Sequence, residues 1–307
     1  MTQQLKRSER PDRQTSPPLA QRGAPSRHGF AWVISTVVAL TFAVFFPVLR
    51  NGFVNWDDYF NLVDNPNYRG LTWTQLRWMF STFHLSLYRP VTWITFGADY
   101  LLWGVNPMGY HLTSLLIHAA NAAIFSWIAL TLLRWSSPSA ATGSALYIGA
   151  GFAGLLFSLH PLRVEAVAWA SARNDLVATL FLLLATICYL RAAADSKKAK
   201  WRRKWFAAGL VLYAVSLLAK AIGMTFPFVL LLLDVYPLQR LPGAHVEDLL
   251  HLMSIAGEAP VADHLQRDRR GESRRRPDQQ HQIARTPLHL KSRREKTNVA
   301  MSSSPAT

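Results

Sequence analysis

Eight Asp and Glu residues stand between Phe30 and Arg240, and six of them, Asp57, Asp58, Asp64, Asp99, Glu165 and Asp175, fall in two segments that separate long apolar runs. Two are adjacent, in Trp56-Asp57-Asp58. Neighbouring carboxylates repel, so one keeps a proton or a cation is recruited, and either state suits a general base or a metal ligand. A hydrated turn would use the same residues without chemistry.

Cations are positioned to complement them. In Tyr88-Arg89-Pro90 the proline holds Arg89 in extended backbone, and its guanidinium suits a phosphate oxygen, whether of a substrate or of a lipid headgroup. The stretch from His160 to Asp175 adds His160, Arg163, Glu165 and Arg173. A short surface helix from Leu162 to Ala172 is expected there, with Asn174 or Asp175 capping the helix that follows. Capping accounts for Asp175 and leaves Glu165, in mid-helix, as a further candidate acid. Lys220 ends a later apolar run, where it either snorkels or meets phosphate.

His111, Ser114, His118 and Asn121 share one face of a helix, spread over roughly 80 degrees. Such a polar stripe in a membrane helix faces protein or a cavity, not lipid. Interhelical hydrogen bonding and cavity lining both fit.

The elements that position these residues are apolar runs. Phe30 to Leu49 is 20 uncharged residues, enough for about 30 Å of helix, the hydrocarbon thickness. Further runs cover Leu112–Leu133, Ala145–Leu159, Leu176–Leu190, Trp205–Ala219 and Met224–Leu233. The pattern predicts an all-α, polytopic helical membrane protein with about six membrane segments, the first an uncleaved signal anchor. Six Lys and Arg precede the first run, and seven fall in 191–204, which places both on the cytoplasmic side. Alternation then puts 50–111 and 160–175 outside. The expected organisation is a basic arm over 1–28, a membrane domain over 29–240 with an outer loop over 50–111, and a basic disordered tail over 241–307.

That outer loop holds Trp56, Trp73, Trp78, Trp93 and Trp103, five of the eleven Trp, and five Tyr. Rings of this kind favour the headgroup level, so amphipathic helices near Thr74–Phe83 and Val91–Trp103, lying flat on the membrane, are expected. Sugar stacking would use the same rings. The net charge of +15 comes mostly from arm, loop and tail, where anionic lipid explains it, and nucleic acid is not expected as a partner. The single cysteine, Cys188, excludes an intrachain disulfide.

Five blocks, taken in order, carry a family resemblance: Asn55-Trp-Asp-Asp58, Tyr88-Arg-Pro-Val-Thr92, Gly109-Tyr-His111 with His118, His160-Pro to Trp169 with Ala172-Arg-Asn-Asp175, and Leu218-Ala-Lys220 to Asp234. Together they resemble the amino-terminal half of type C glycosyltransferases, in the branch of protein O-mannosyltransferase-like membrane proteins that carry tetratricopeptide repeats. The resemblance implies an inverting enzyme that takes a mannose-like sugar from a polyprenyl-phosphate carrier to an acceptor protein, at the outer face of a bacterial inner membrane with the N-terminus cytoplasmic. It implies Asp57 or Asp58 as base, with Glu165 as the alternative acid. Arg89, Arg173 and Lys220 would meet the donor phosphate, and His111, His118, Asn121 and His160 would line the cavity. A divalent metal at the acids is compatible with it, and no other cofactor is implied.

Three departures stand against the pattern: Ser114 where the family has Asn, Ala221 after Lys220 where it often has an acid or Pro, and no second membrane half or repeats beyond Leu241. A shortened, inactive product whose tail is read out of frame is therefore expected, a natural regulatory tail being the alternative. A non-catalytic scaffold or lipid-linked-sugar binder is the competing class.

Overall fold

The computed structural model describes residues 27–136, 144–194, 199–238 and 240. The arm up to residue 26 and the tail from 241 lie outside them. Among the described residues the chain is helical with no strands: α1 (Arg27–Phe45), α2 (Trp73–Ser81), α3 (Pro90–Trp103), α4 (Pro107–Ser136), α5 (Ser144–Leu159), α6 (Arg163–Ala168), α7 (Arg173–Ala194), α8 (Ala199–Ala219) and α9 (Phe226–Val235).

Three helical stretches are long and apolar enough to cross a membrane, His28–Arg50, Pro107–Ser136 and Ala170–Ala194, where six were expected. The difference has a physical origin in each remaining run. Helix α5 has 16 residues and α9 has 10, short of the roughly 20 that a span requires. Helix α8 has 21 residues, but Lys200, Arg202, Arg203 and Lys204 occupy its first turns.

The long helices form a bundle in which α4 packs on α1, α5 and α7, while α7 runs along α8. Small residues allow the closest approach. A Cβ on Gly154 of α5 would clash with the Ser126 hydroxyl of α4, so the two helices meet there only because residue 154 has no side chain.

The aromatic loop region packs on itself. Leu62, Tyr68, Met79, Trp93, Phe96, Tyr110 and Ala170 form a buried core of its own, in which Trp93 and Phe96 have no exposed surface. Each fully buried large side chain of this kind contributes about 1.5–3 kcal/mol, and the edge-to-face contacts of Trp93 with Trp78, His84 and Phe96 add specificity. Trp56, Trp73 and Trp103, 70%, 78% and 39% exposed, are the tryptophans of the loop that remain outside it. The α2–α3 connection turns through Leu85 and Ser86, both left-handed at φ 50° and 62° without being glycine, in a turn closed by the Leu87 amide on the His84 carbonyl at 3.0 Å.

Candidate functional site

The acid pair sits where α1 gives way to the loop. A short 3-10 turn, Phe46–Arg50, ends the first span, and the chain then enters a π-helical turn, Tyr59–Val63, whose N-cap is Asp58. Turns of this type are rare and recur at functional positions. The two acids have different surroundings. Asp58 is fully buried, its Oδ2 accepting from the Val54 amide at 3.0 Å and its Oδ1 from the Ser171 amide at 2.8 Å. Both oxygens are thus committed to backbone. Asp57 is half-buried and makes no hydrogen bond or ion pair among the described residues.

Arg89 is the charge beside it. Pro90 opens α3 and leaves Arg89 at φ −145°, outside the helix and directed inward, 4% exposed. Its Nη2 donates to Asn61 Oδ1 at 2.7 Å, its Nη1 reaches the Ser171 carbonyl at 3.4 Å, and the guanidinium lies 5.1 Å above the Trp93 ring. Burial lowers its pKa to about 10, with the Asp57 charge opposing the shift, so it remains a cation at neutral pH. Asn61 completes the frame by donating from Nδ2 to Ser171 Oγ at 3.1 Å. Asn61 and Ser171 were not expected at this site.

Arg173 is further inside. It is fully buried, 2.5 Å from Asp99, and donates to Ser114 Oγ at 3.1 Å and to the Tyr110 carbonyl at 2.6 Å. Phe96 flanks it at 4.6 Å. Thr113 donates to the other Asp99 oxygen at 2.7 Å, and burial pushes the Asp99 carboxyl above the usual carboxylate range against the opposing pull of Arg173 and Thr113. Arg173 thus has its charge matched within the protein.

Lys220 follows α8 and donates to both oxygens of Asp175 at 2.7 Å, a pair that remains about one-third exposed. Asp175 lies inside the first turn of α7 and pairs with this lysine. The expected surface helix is interrupted. Helix α6 ends at Ala168, Trp169 is extended, and a 3-10 turn, Ala170–Ala172, leads into α7. Glu165 lies exposed on α6 with its carboxylate unpaired among the described residues, and His160 is exposed nearby, its Nδ1 accepting from the Leu162 amide at 3.3 Å.

The polar stripe of α4 is buried throughout and reaches the aromatic loop, α5 and, at two positions, α7. His111 meets the Gly52 carbonyl at 3.4 Å, Ser114 meets Arg173, His118 meets the Ser158 carbonyl of α5 at 2.9 Å, and Asn121 donates to the Leu176 carbonyl of α7 at 2.9 Å. His111 Nδ1, His118 Nδ1 and Asn121 Oδ1 have no hydrogen-bond partner among the described residues. No three His, Cys, Asp or Glu side chains converge as a ligand set among the described residues.

The chain is 31% identical to protein O-mannosyl-transferase Tmtc3 of Drosophila melanogaster over 171 residues, 52% of this chain and 18% of that protein. It is a relative of the protein O-mannosyl-transferases. Human TMTC2 is 31% identical over 158 residues, 50% of this chain and 17% of that protein, and Drosophila Tmtc2 is 32% identical over 213, 64% and 21% respectively. The matches thus span about a fifth of the length of these curated relatives. No family model matches, and no solved structure matches.

Proposed function

We propose that this chain contributes the acid-bearing part of a membrane glycosyltransferase that moves a mannose-like sugar from a polyprenyl-phosphate donor to a protein hydroxyl. The division of labour in the acid pair carries this reading: Asp58 is fastened through both oxygens, while Asp57, one residue away and close to a buried cation, is free to accept a proton. The relatives named protein O-mannosyl-transferases support it.

The chemistry follows from those positions. Asp57 takes the proton of the acceptor hydroxyl as that oxygen attacks the anomeric carbon. The bond from this carbon to the phosphate oxygen breaks with inversion, and the phosphate leaves with the electron pair. Lys220, partly exposed beside Asp175, can pair with that phosphate by exchanging partners. Arg89 and Arg173, both engaged within the protein, act by holding the frame around the acid. The unpaired atoms of His111, His118 and Asn121 are suited to a polar cavity.

In this reading six segments cross the bilayer, with α5, α8 and α9 drawing on flanking residues. The N-terminal arm and 191–204 are cytoplasmic, residues 50–111 and 160–175 are outside, and the membrane is a bacterial inner membrane. The test is transfer of labelled mannose from polyprenyl-phosphate mannose to a Ser/Thr peptide by membranes carrying the chain. Transfer that depends on Asp57 supports the proposal, and transfer indifferent to Asp57→Asn refutes it. A second reading, a non-catalytic scaffold or lipid-linked-sugar binder, is favoured by the number of candidate groups spent on helix-to-helix contacts, Ser114, Asn121 and Arg173 among them. Donor binding without transfer would support it.

A further inference from the structure

The ends of α7 and α8 remote from Lys220 hold two cavities that the candidate site does not use. One, of about 210 Å³, lies between α7, α8 and α9 and is lined by Ala185, Gly209, Tyr213 and Leu230 together with Tyr189 and Phe206. The other, of about 340 Å³, is lined by Arg202, Arg203 and Arg240, and again by Tyr189 and Phe206. An apolar chamber and a basic one therefore adjoin across two shared aromatic residues.

The charge at the basic chamber is only partly neutralised from within: Arg240 faces Asp234 at 3.7 Å. Arg202 and Arg203 are exposed and have no carboxylate partner among the described residues. The nearby Arg191 and Lys204 lie against the rings of Trp205 and Trp201, at 4.8 and 5.3 Å. Asp234, the acid beside Tyr189, accepts its hydroxyl at 2.5 Å and lies 3.7 Å from Arg240, so its charge is already engaged.

We infer that this joined pair of chambers binds a phospholipid with an anionic headgroup, its acyl chain between α7, α8 and α9 and its phosphate at Arg202, Arg203 and Arg240. Basic pockets between membrane helices attract anionic headgroups, and guanidinium forks match phosphate oxygens in pairs. The donor of the proposed transfer is a different molecule. Tyr189 lies 14 helical residues from Asp175, about 21 Å along α7, so a phosphate held at Arg202 is far from the acids. The inference does not depend on the proposed transfer.

The experiment uses the full 307-residue chain in detergent and measures, by native mass spectrometry, retention of phosphatidylglycerol and phosphatidylcholine with identical acyl chains. The charged lipid is expected to be held about tenfold more strongly, and the double variant Arg202→Gln/Arg203→Gln to lose that preference. Gly209→Leu is expected to lose both lipids. A Cβ at residue 209 meets the Ala185 carbonyl and Cys188 Cβ only at 3.5 Å, so the backbone tolerates it while the larger side chain fills the chamber. Equal retention of the two lipids by the unmodified chain, or an undiminished preference in the arginine variant, would overturn the inference. Retention of undecaprenyl phosphate in preference to phosphatidylglycerol would also overturn it, by assigning the chambers to a sugar carrier.

Discussion

The Asp99 carboxylate lies 2.5 Å from the Arg173 guanidinium, with both side chains shut away from solvent. The pair joins α3 to the start of α7, and Thr113 and Ser114 of α4 complete it. Breaking such a pair leaves the surviving charge buried and uncompensated. Asp99→Ala or Arg173→Ala is therefore expected to destabilise the folded chain by about 3–5 kcal/mol. Thermal unfolding in detergent checks this, and a midpoint unchanged in both variants would contradict it.

Asp57 and Asp58 should separate in their effects. Asp57→Asn is expected to lower sugar transfer by about 100-fold or more without altering unfolding, as for loss of a general base. Asp58→Asn gives up a carboxylate that accepts from two backbone amides and is expected to lower stability by about 1.5–3 kcal/mol. The same loss of activity with the same loss of stability in both would contradict the assignment.

Arg89 and Asn61 should behave as one unit. Arg89→Lys keeps the charge but loses the two-pronged contact with Asn61 and Ser171. A double-mutant cycle of Arg89→Lys with Asn61→Ala is expected to be non-additive, because either change alone dissolves the same frame. Additive effects on donor KM and on kcat would show the two residues acting separately.

His84 sets a pH dependence. Its ring lies between Trp78 and Trp93 with Nε2 on the Phe60 carbonyl at 3.2 Å, and burial lowers its pKa below the ordinary value near 6.5. The unfolded chain then takes up the proton first. The stability this histidine contributes is full above about pH 6.5 and declines as pH falls toward the folded-state value. Unfolding followed by tryptophan fluorescence from pH 7.5 to 5 should show that decline, and His84→Phe should lessen it.

The proposed orientation is open to labelling. A cysteine at Asn67, an exposed loop position beside the buried Asn65, should react with an impermeant thiol reagent in intact cells, and one near Ala199 should not. The native Cys188 is buried and gives little background.

The helices themselves were legible in the sequence, because long uncharged runs admit few other structures. Their ends were not. Helix α7 begins at Arg173, a residue that reads as loop until its buried partner Asp99 is known, and α8 begins among basic residues that the apolar pattern leaves out. The blocks around Asp57, Arg89 and Asp175 carried the family resemblance, yet Asn61 and Ser171 were missed. Short polar residues are ordinary in loops, and the available signal was the three-residue spacing of Asn61 from Asp58, one turn along the chain. The buried aromatic core of the loop was hidden for another reason: Trp and Tyr suit both a membrane surface and a packed interior, and composition does not separate the two.

Ser171 uses its amide on Asp58, its hydroxyl on Asn61 and its carbonyl on Arg89. One residue in the short turn ahead of α7 therefore fixes the position of three groups contributed by two other stretches of chain. A tilt of α7 large enough to stretch these bonds would misplace the acid, the amide and the cation in the same motion. The geometry around Asp57 is in this sense a readout of how α7 sits in the bilayer, and lipid thickness becomes a variable to which the proposed transfer would respond.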